Sequence, residues 1–144
     1  MAEFSFSGID ELMLSMQEVA EIPDEVVDEM LNAQADVVVR AQKRKIRQYR
    51  IYDTGTSQRA VKKGKVKLSK DGKRVLYVAP AGVRVRGKEK LSKTRNAEIL
   101  FVNEFGKRGK QARPAIRDAN ELSAAETTAA AAEVHHRWLE SKGL

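Results

Sequence analysis

Residues 23–49, with the sequence PDEVVDEMLNAQADVVVRAQKRKIRQY, contain the longest helical pattern of this chain. Apolar residues recur in it at the spacing of one helix face, and they are Val27, Met30, Leu31, Val37, Val38 and Ala41. Pro23 suits the first position of a helix, where the missing backbone N–H costs nothing. Acidic residues stand at the start and basic residues in the last turns, which suits the helix dipole. The pattern therefore predicts one long amphipathic helix.

The segment before this helix predicts two further elements. Phe4 and Phe6 alternate with polar residues, which is typical of a short strand with one buried face. Ser7 and Asp10 resemble a capping box that begins a helix over about residues 9–20. The apolar stripe of this helix consists of Ile9, Leu12, Met13, Met16, Val19 and Ala20.

The segment after the long helix predicts a hairpin. Asp71-Gly72 is a strong hairpin signal, and it stands between two short strand patterns at residues 65–69 and 73–79. Alternation predicts that Val66 and Leu68 face the core, while the lysines beside them face water.

Residues 83–95 are strongly basic and contain few apolar residues. Six bases stand there against one acid, and these bases are Arg84, Arg86, Lys88, Lys90, Lys93 and Arg95. Such a stretch cannot bury enough apolar surface to offset the entropy lost on ordering. It therefore predicts a long mobile loop or a hairpin arm.

The remaining sequence predicts one more strand and one more helix. Residues 97–105 have the apolar alternation of a strand, and Pro114 begins a C-terminal helix that extends through an Ala-rich run to about residue 140. The chain is thus expected to be a single α+β domain over residues 1–144, with its core at about residues 4–122. In this fold the long N-terminal helix and the C-terminal helix pack on an antiparallel β-sheet, and the basic arm projects from it.

Composition narrows the class of protein. The chain has 144 residues, of which 42% are hydrophobic, enough for one modest core. It has no cysteine, which excludes disulfides and thiolate chemistry and fits folding in a reducing cytosol. No segment approaches the roughly 20 apolar residues of a membrane-spanning helix, so we expect no membrane partner.

Charge is divided unevenly along the chain. Residues 1–36 have ten acids and no Lys or Arg, whereas residues 59–95 have fourteen bases against two acids. This division favours head-to-tail contact between copies, in which an acidic face meets a basic one. We place the acidic partner face at Asp24, Glu25, Asp28 and Glu29. Two alternatives stay open, because charge runs can be merely solvated and a basic segment can bind nucleic-acid phosphates.

A family resemblance rests on short motifs and on their order. Residues 96–106, NAEILFVNEFG, end in Glu104-Phe105-Gly106, and Ala112-Arg113-Pro114 follows after a short basic linker. With the Thr54-Gly55 turn and the order of the predicted elements, these motifs resemble the small neck and tail-completion proteins of lambda-like siphophages and prophages, over roughly residues 4–122. In that family a strand ending in an acid, an aromatic residue and Gly leads through a variable loop to Ala-Arg-Pro and a closing helix. The family usually has an aromatic residue next, where this chain has Ala115.

The resemblance implies a structural virion protein at the phage head–tail junction, with no catalysis and no cofactor. Such a subunit assembles into a ring, expected to be a hexamer, between the head connector and the tail tube, with DNA passing through the lumen. It is made and assembled in the cytoplasm of the bacterial host. The motif positions with a structural role are Thr54, Gly55, Glu104, Phe105, Gly106, Ala112, Arg113 and Pro114.

Two expectations follow for specific side chains. The basic arm either contacts the acidic helices of a neighbouring subunit or lines the DNA channel. Glu104 and Arg113 are expected to pair and to steady the connection between the predicted strand and the last helix.

Competing functions have less support in the sequence. The two histidines, His135 and His136, are adjacent, so on a helix they point about 100° apart and cannot share a metal as an i, i+4 pair does. No Gly-rich phosphate loop or nucleophile elbow is apparent, so we expect no enzyme. The alternatives are a free-standing basic nucleic-acid-binding protein and, within the structural class, a tail-tube or head-decoration subunit.

Overall fold

The computed structural model describes residues 21–51, 56–86 and 92–144. The helices in these ranges are α1 (Asp24–Gln48), α2 (Thr56–Ala60), α3 (Asn96–Phe105) and α4 (Ala115–Ser141). The strands are β1 (Val61–Lys63), β2 (Lys67–Leu68), β3 (Arg74–Val75), β4 (Val78–Pro80), β5 (Val83–Arg86) and β6 (Ser92–Arg95). The predicted opening strand and the helix over residues 9–20 lie outside the described residues, as do Thr54, Gly55, Lys88 and Lys90.

The two long helices, α1 and α4, form the most extensive contact between elements in the described chain. The prediction of a long N-terminal helix over about 23–49 and a C-terminal helix over about 114–140 is confirmed. Small residues of α4 are buried in this contact, among them Ala119 and Ala131, and they allow the helices to approach closely. Gln42 of α1 is also buried, and its Nε2 donates to the Oδ1 of Asn120 at 3.0 Å, which satisfies an otherwise costly polar group.

The hydrophobic core lies at the C-terminal end of α1. Its buried members come from four separate segments, and they are Ile46, Ile51, Val61, Leu100 and Ala115. Ala115 is fully buried. The core therefore joins the end of α1, the start of β1, the middle of α3 and the start of α4 at one point.

The α+β class is confirmed, but the β-structure consists of three separate two-stranded antiparallel ladders in the described residues. β1 pairs with β4, β2 with β3, and β5 with β6. The Asp71-Gly72 turn joins β2 to β3 as predicted, although the ladder is only two residues long. Residues 73–79 were predicted as one strand and instead divide between β3 and β4, which pair with different partners.

The predicted inward orientation of Leu68 is wrong, because this side chain is 67% exposed. β3 lies against α1, and Arg74 of β3 is held there by acidic side chains of the helix. Within the described residues β2 pairs only with β3 and lies on the side of β3 away from α1. Leu68 in β2 is therefore exposed to solvent.

The predicted strand over residues 97–105 is also wrong, since these residues form α3. A continuous run of four apolar residues, Ile99 to Val102, fits a buried strand or a buried helix equally well by periodicity. The buried residues of α3 are Asn96, Leu100 and Asn103, whose spacing of four and three is that of one helix face. No helix in the described part of the chain is long and apolar enough to cross a membrane.

Candidate functional site

An aromatic groove lies between α3 and the first turns of α4, with a volume of about 520 Å³. The residues that matter for its chemistry are Leu100, Phe101, Phe105, Ile116, Arg117 and Glu121. The side chains of Phe101 and Phe105 are 65% and 70% exposed, and their ring centroids lie 4.8 Å apart. Two adjacent exposed phenylalanines form an apolar surface patch of the kind that occurs at sites of interaction.

The motif residues beside this groove connect α3 to α4. The carboxylate of Glu104 accepts hydrogen bonds from the backbone N–H groups of Ile116, at 3.0 Å, and of Arg117, at 2.7 Å. These N–H groups are in the first turn of α4, where no intrahelical acceptor exists. Pro114, immediately before α4, has no side-chain cap of its own, so Glu104 caps α4 from the neighbouring helix.

Arg113 makes a second set of contacts at the same junction. Its Nη2 donates to the Oδ1 of Asn103 at 2.7 Å, and its Nη1 donates to the carbonyl oxygen of Tyr49 at 3.0 Å. The expected pair of Glu104 with Arg113 is therefore wrong. The two side chains bind different backbone groups instead. Glu104 accepts from N–H groups at the start of α4, whereas Arg113 donates to a carbonyl oxygen after the end of α1.

Gly106 ends α3 with a φ of +73°, and a Cβ at this position would lie 2.9 Å from the carbonyl oxygen of Lys110 and 3.0 Å from the backbone nitrogen of Ala112. Both the backbone conformation and the space therefore require glycine. The loop after Gly106 closes on itself through paired backbone hydrogen bonds between Lys107 and Lys110. This loop brings Ala112, Arg113 and Pro114 back against the end of α3.

The basic segment forms a hairpin, β5–β6, so of the two expectations for residues 83–95 the hairpin arm is confirmed. The strands contain Arg84, Arg86, Lys93 and Arg95. Its base is fixed by Asn96, which is 4% exposed and whose Nδ2 donates to the carbonyl oxygen of Ala81 at 2.9 Å. We refer to β5 and β6 as the basic hairpin.

The acidic face at the start of α1 is partly neutralised within the chain. Arg74 forms a bidentate pair with Asp28, with Nε–Oδ1 and Nη2–Oδ2 distances of 2.5 and 2.6 Å, and its Nη1 lies 3.4 Å from Asp24. The hydrogen bond from Arg74 holds the pKa of Asp28 below its usual value, and the same bond raises the pKa of Arg74. Glu25 and Glu29 are exposed.

One further polar contact ties α1 to α4 beside the motif junction. The phenol of Tyr49 donates to the carboxylate of Asp118, and this bond raises the pKa of the phenol. The ammonium group of Lys45 lies 5.8 Å from the centre of the Tyr49 ring. Tyr49 thus connects the end of α1 to α4, and its carbonyl oxygen also accepts a hydrogen bond from Arg113.

The structure brings some of the predicted positions together and leaves others apart. Glu104, Phe105, Gly106, Ala112, Arg113 and Pro114 meet at the α3–α4 junction. The acidic residues of α1 lie at the opposite end of that helix from this junction. Sequence reasoning missed Asn103 and Tyr49, because the strand assignment placed Asn103 on an ordinary alternating face and no motif includes Tyr49.

Groupings suited to metal binding are not found in the described residues. His136 is exposed and its Nε2 lies 3.2 Å from Glu140, one turn along α4, while the His135 ring lies beside Trp138. In comparisons with known proteins, no protein-family model matches this chain, and no curated protein or solved structure is significantly similar to it.

Proposed function

We propose that this chain is a ring-forming structural subunit of the head–tail junction of a tailed phage or prophage, in the position of a neck or tail-completion protein. It joins the tail to the DNA-filled head and carries out no catalysis. The observation that carries the proposal is the exposed Phe101–Phe105 pair beside the motif residues Glu104 and Arg113, whose side chains bond to neighbouring elements. An aromatic surface held rigidly by its own motif suits permanent contact with another protein.

The charge distribution supports assembly rather than solitary action. The basic hairpin and the acidic start of α1 belong to different parts of one small domain, so copies can place opposite charges against each other. The proposed partners are further copies in a ring, expected to be a hexamer, together with the head connector and the tail tube. DNA in the lumen would contact Lys and Arg side chains through its phosphates, without sequence preference.

Mass measurement in the absence of DNA tests the ring. We expect light scattering of the purified chain to give one defined oligomer as concentration rises, and electron microscopy to show rings with a central opening. A permanent monomer that binds DNA tightly, with an affinity that falls steeply with salt, would instead support the free-standing nucleic-acid-binding protein.

A joining assay tests the position in the particle. In a phage that encodes this chain, deleting its gene is expected to leave DNA-filled heads and separate complete tails, and added purified protein restores joined particles. Loss of tail tubes would indicate a tail-tube subunit. Fragile but joined particles would indicate a head-decoration subunit.

A further inference from the structure

We propose that the aromatic groove of each subunit binds the basic hairpin of a second copy of this chain. The inference deepens the proposed function and rests on it, because it names the two surfaces that meet when subunits join head to tail.

The apolar part of the groove suits a protein partner. Phe101 and Phe105 are largely exposed, and Leu100 beneath them is only 3% exposed. Aromatic side chains above a buried apolar floor are the kind of residues that dominate the binding energy of protein interfaces. The groove thus has an anchoring centre that a flat charged surface lacks.

Two carboxylates flank this centre without partners. Glu98 precedes Phe101 and Phe105 by three and seven residues on α3, so it lies on the same side of the helix. Glu121 lines the groove from α4. Neither carboxylate has a hydrogen bond or ion pair with any described residue, whereas Glu104 caps α4 and Arg117 lies 3.7 Å from Asp118. The unpaired charge at the groove is therefore negative.

The basic hairpin has the complementary composition. Its register places Val83 opposite Arg95 and Val85 opposite Lys93. Residues opposite each other in an antiparallel ladder belong to one face, so Val83 and Arg95 place an apolar side chain next to a cation. Val83 is 52% exposed, and neither strand pairs with a third strand in the described sheets. This apolar residue and cation, in a segment with further Lys and Arg residues, match the phenylalanines of the groove and the carboxylates beside it.

The groove is a better acceptor for this hairpin than the acidic face of α1. Arg74 already forms a bidentate pair with Asp28 and contacts Asp24. Lys and Arg side chains of a neighbouring copy would therefore have to compete with this pair. Groove and hairpin are also different surfaces of one subunit. A contact between unlike surfaces repeats from copy to copy and closes into a ring when the rotation per copy divides a full turn.

Complementation between two variants tests this contact. Phe101→Ser/Phe105→Ser removes the groove centre, and Lys93→Glu/Arg95→Glu reverses the hairpin charge. Each variant alone is expected to be monomeric, with the concentration for half association raised by about 30-fold or more. An equimolar mixture retains one intact groove and one intact hairpin per pair, so light scattering should show dimers that do not grow further. Leu68→Ser/Tyr77→Ser, at two residues that are each 67% exposed, is the matched control and should assemble as the unaltered chain does.

A charge exchange gives a second measurement that does not touch the phenylalanines. Glu98→Lys/Glu121→Lys should prevent assembly, and adding Lys93→Glu/Arg95→Glu to the same chain should restore it. Normal assembly of the groove variant, or a mixture that stays monomeric, overturns the groove contact and leaves the ring function standing. Dimers from the mixture, with no rings from the unaltered chain, keep the groove contact and overturn the ring function.

Discussion

The carboxylate of Glu104 caps α4 by accepting the backbone N–H of Ile116 at 3.0 Å, although Glu104 belongs to a different helix. Most helix caps come from the residue just before the helix, which here is Pro114 and makes no such bond. The position and the direction of α4 are consequently tied to the end of α3. Because α3 and α4 form the two walls of the aromatic groove, this one carboxylate sets the shape of the proposed binding surface.

Removing this cap should destabilise the fold measurably. Glu104→Ala is expected to lower the free energy of unfolding by about 0.5–2 kcal/mol, since two N–H groups lose their acceptor. Glu104→Gln keeps an acceptor oxygen and should lose less. Chemical denaturation at low protein concentration measures both, with Glu133→Ala on the exposed side of α4 as the control. An unchanged Glu104→Ala variant would mean that the cap does not contribute to stability.

Substitutions at two glycines with nearly the same backbone angle can distinguish the cost of steric crowding from the cost of backbone strain. Gly106 and Gly109 have φ values of +73° and +78°, but only Gly106 has backbone atoms within 3.0 Å of an added Cβ. Gly109→Ala should cost about 1 kcal/mol from the left-handed conformation alone. Gly106→Ala should cost clearly more, because the Lys110 carbonyl must also move. Equal losses in thermal unfolding would show that the loop yields without cost.

The sequence predicted the two long helices well. In α1 the apolar stripe, the charged ends and the proline at the start agree, and in α4 a proline stands before an Ala-rich run of high helix propensity. It failed at α3, where four consecutive apolar residues carry no periodicity and the family pattern suggested a strand. The three short ladders could not be separated in advance, since pairing between Val61 and Pro80 depends on how distant segments meet. Local sequence patterns contain no information on which distant segments pair.

The candidate site was predicted only in part for the same reason. The motif identified Glu104, Phe105 and Arg113, but their partners depend on α3 being a helix. In a strand, Asn103 and Glu104 point to opposite faces, whereas in α3 they lie 100° apart, so that one bonds Arg113 and the other caps α4. The exposure of Phe101 was likewise not predicted, because alternation in a strand with apolar residues on both faces does not show which face is exposed.

Arg113 should be irreplaceable by lysine. Its guanidinium spans the Asn103 side chain and the Tyr49 carbonyl with two separate nitrogens, which a single ammonium cannot reproduce. Arg113→Lys is expected to lower the free energy of unfolding by about 2 kcal/mol, since a hydrogen bond to a charged group contributes about 1.5–3 kcal/mol. Arg108→Lys, at an exposed position in the preceding loop, should change nothing measurable. Equal stability of the two variants would contradict the bridging role.

The pair of Arg74 with Asp28 should make stability depend on pH in the acid range. The hydrogen bond from Arg74 lowers the folded-state pKa of Asp28 below its usual 3.8, so the native state favours the ionised carboxylate. The stabilisation is therefore complete above that value and is lost as the pH falls through the folded-state pKa. Asp28→Asn should be less stable than the unaltered chain at neutral pH, and the difference should shrink below about pH 4. A constant Asp28→Asn difference across the acid range would refute the linkage, and Glu29→Gln, at an exposed position of the same helix, is the matched control.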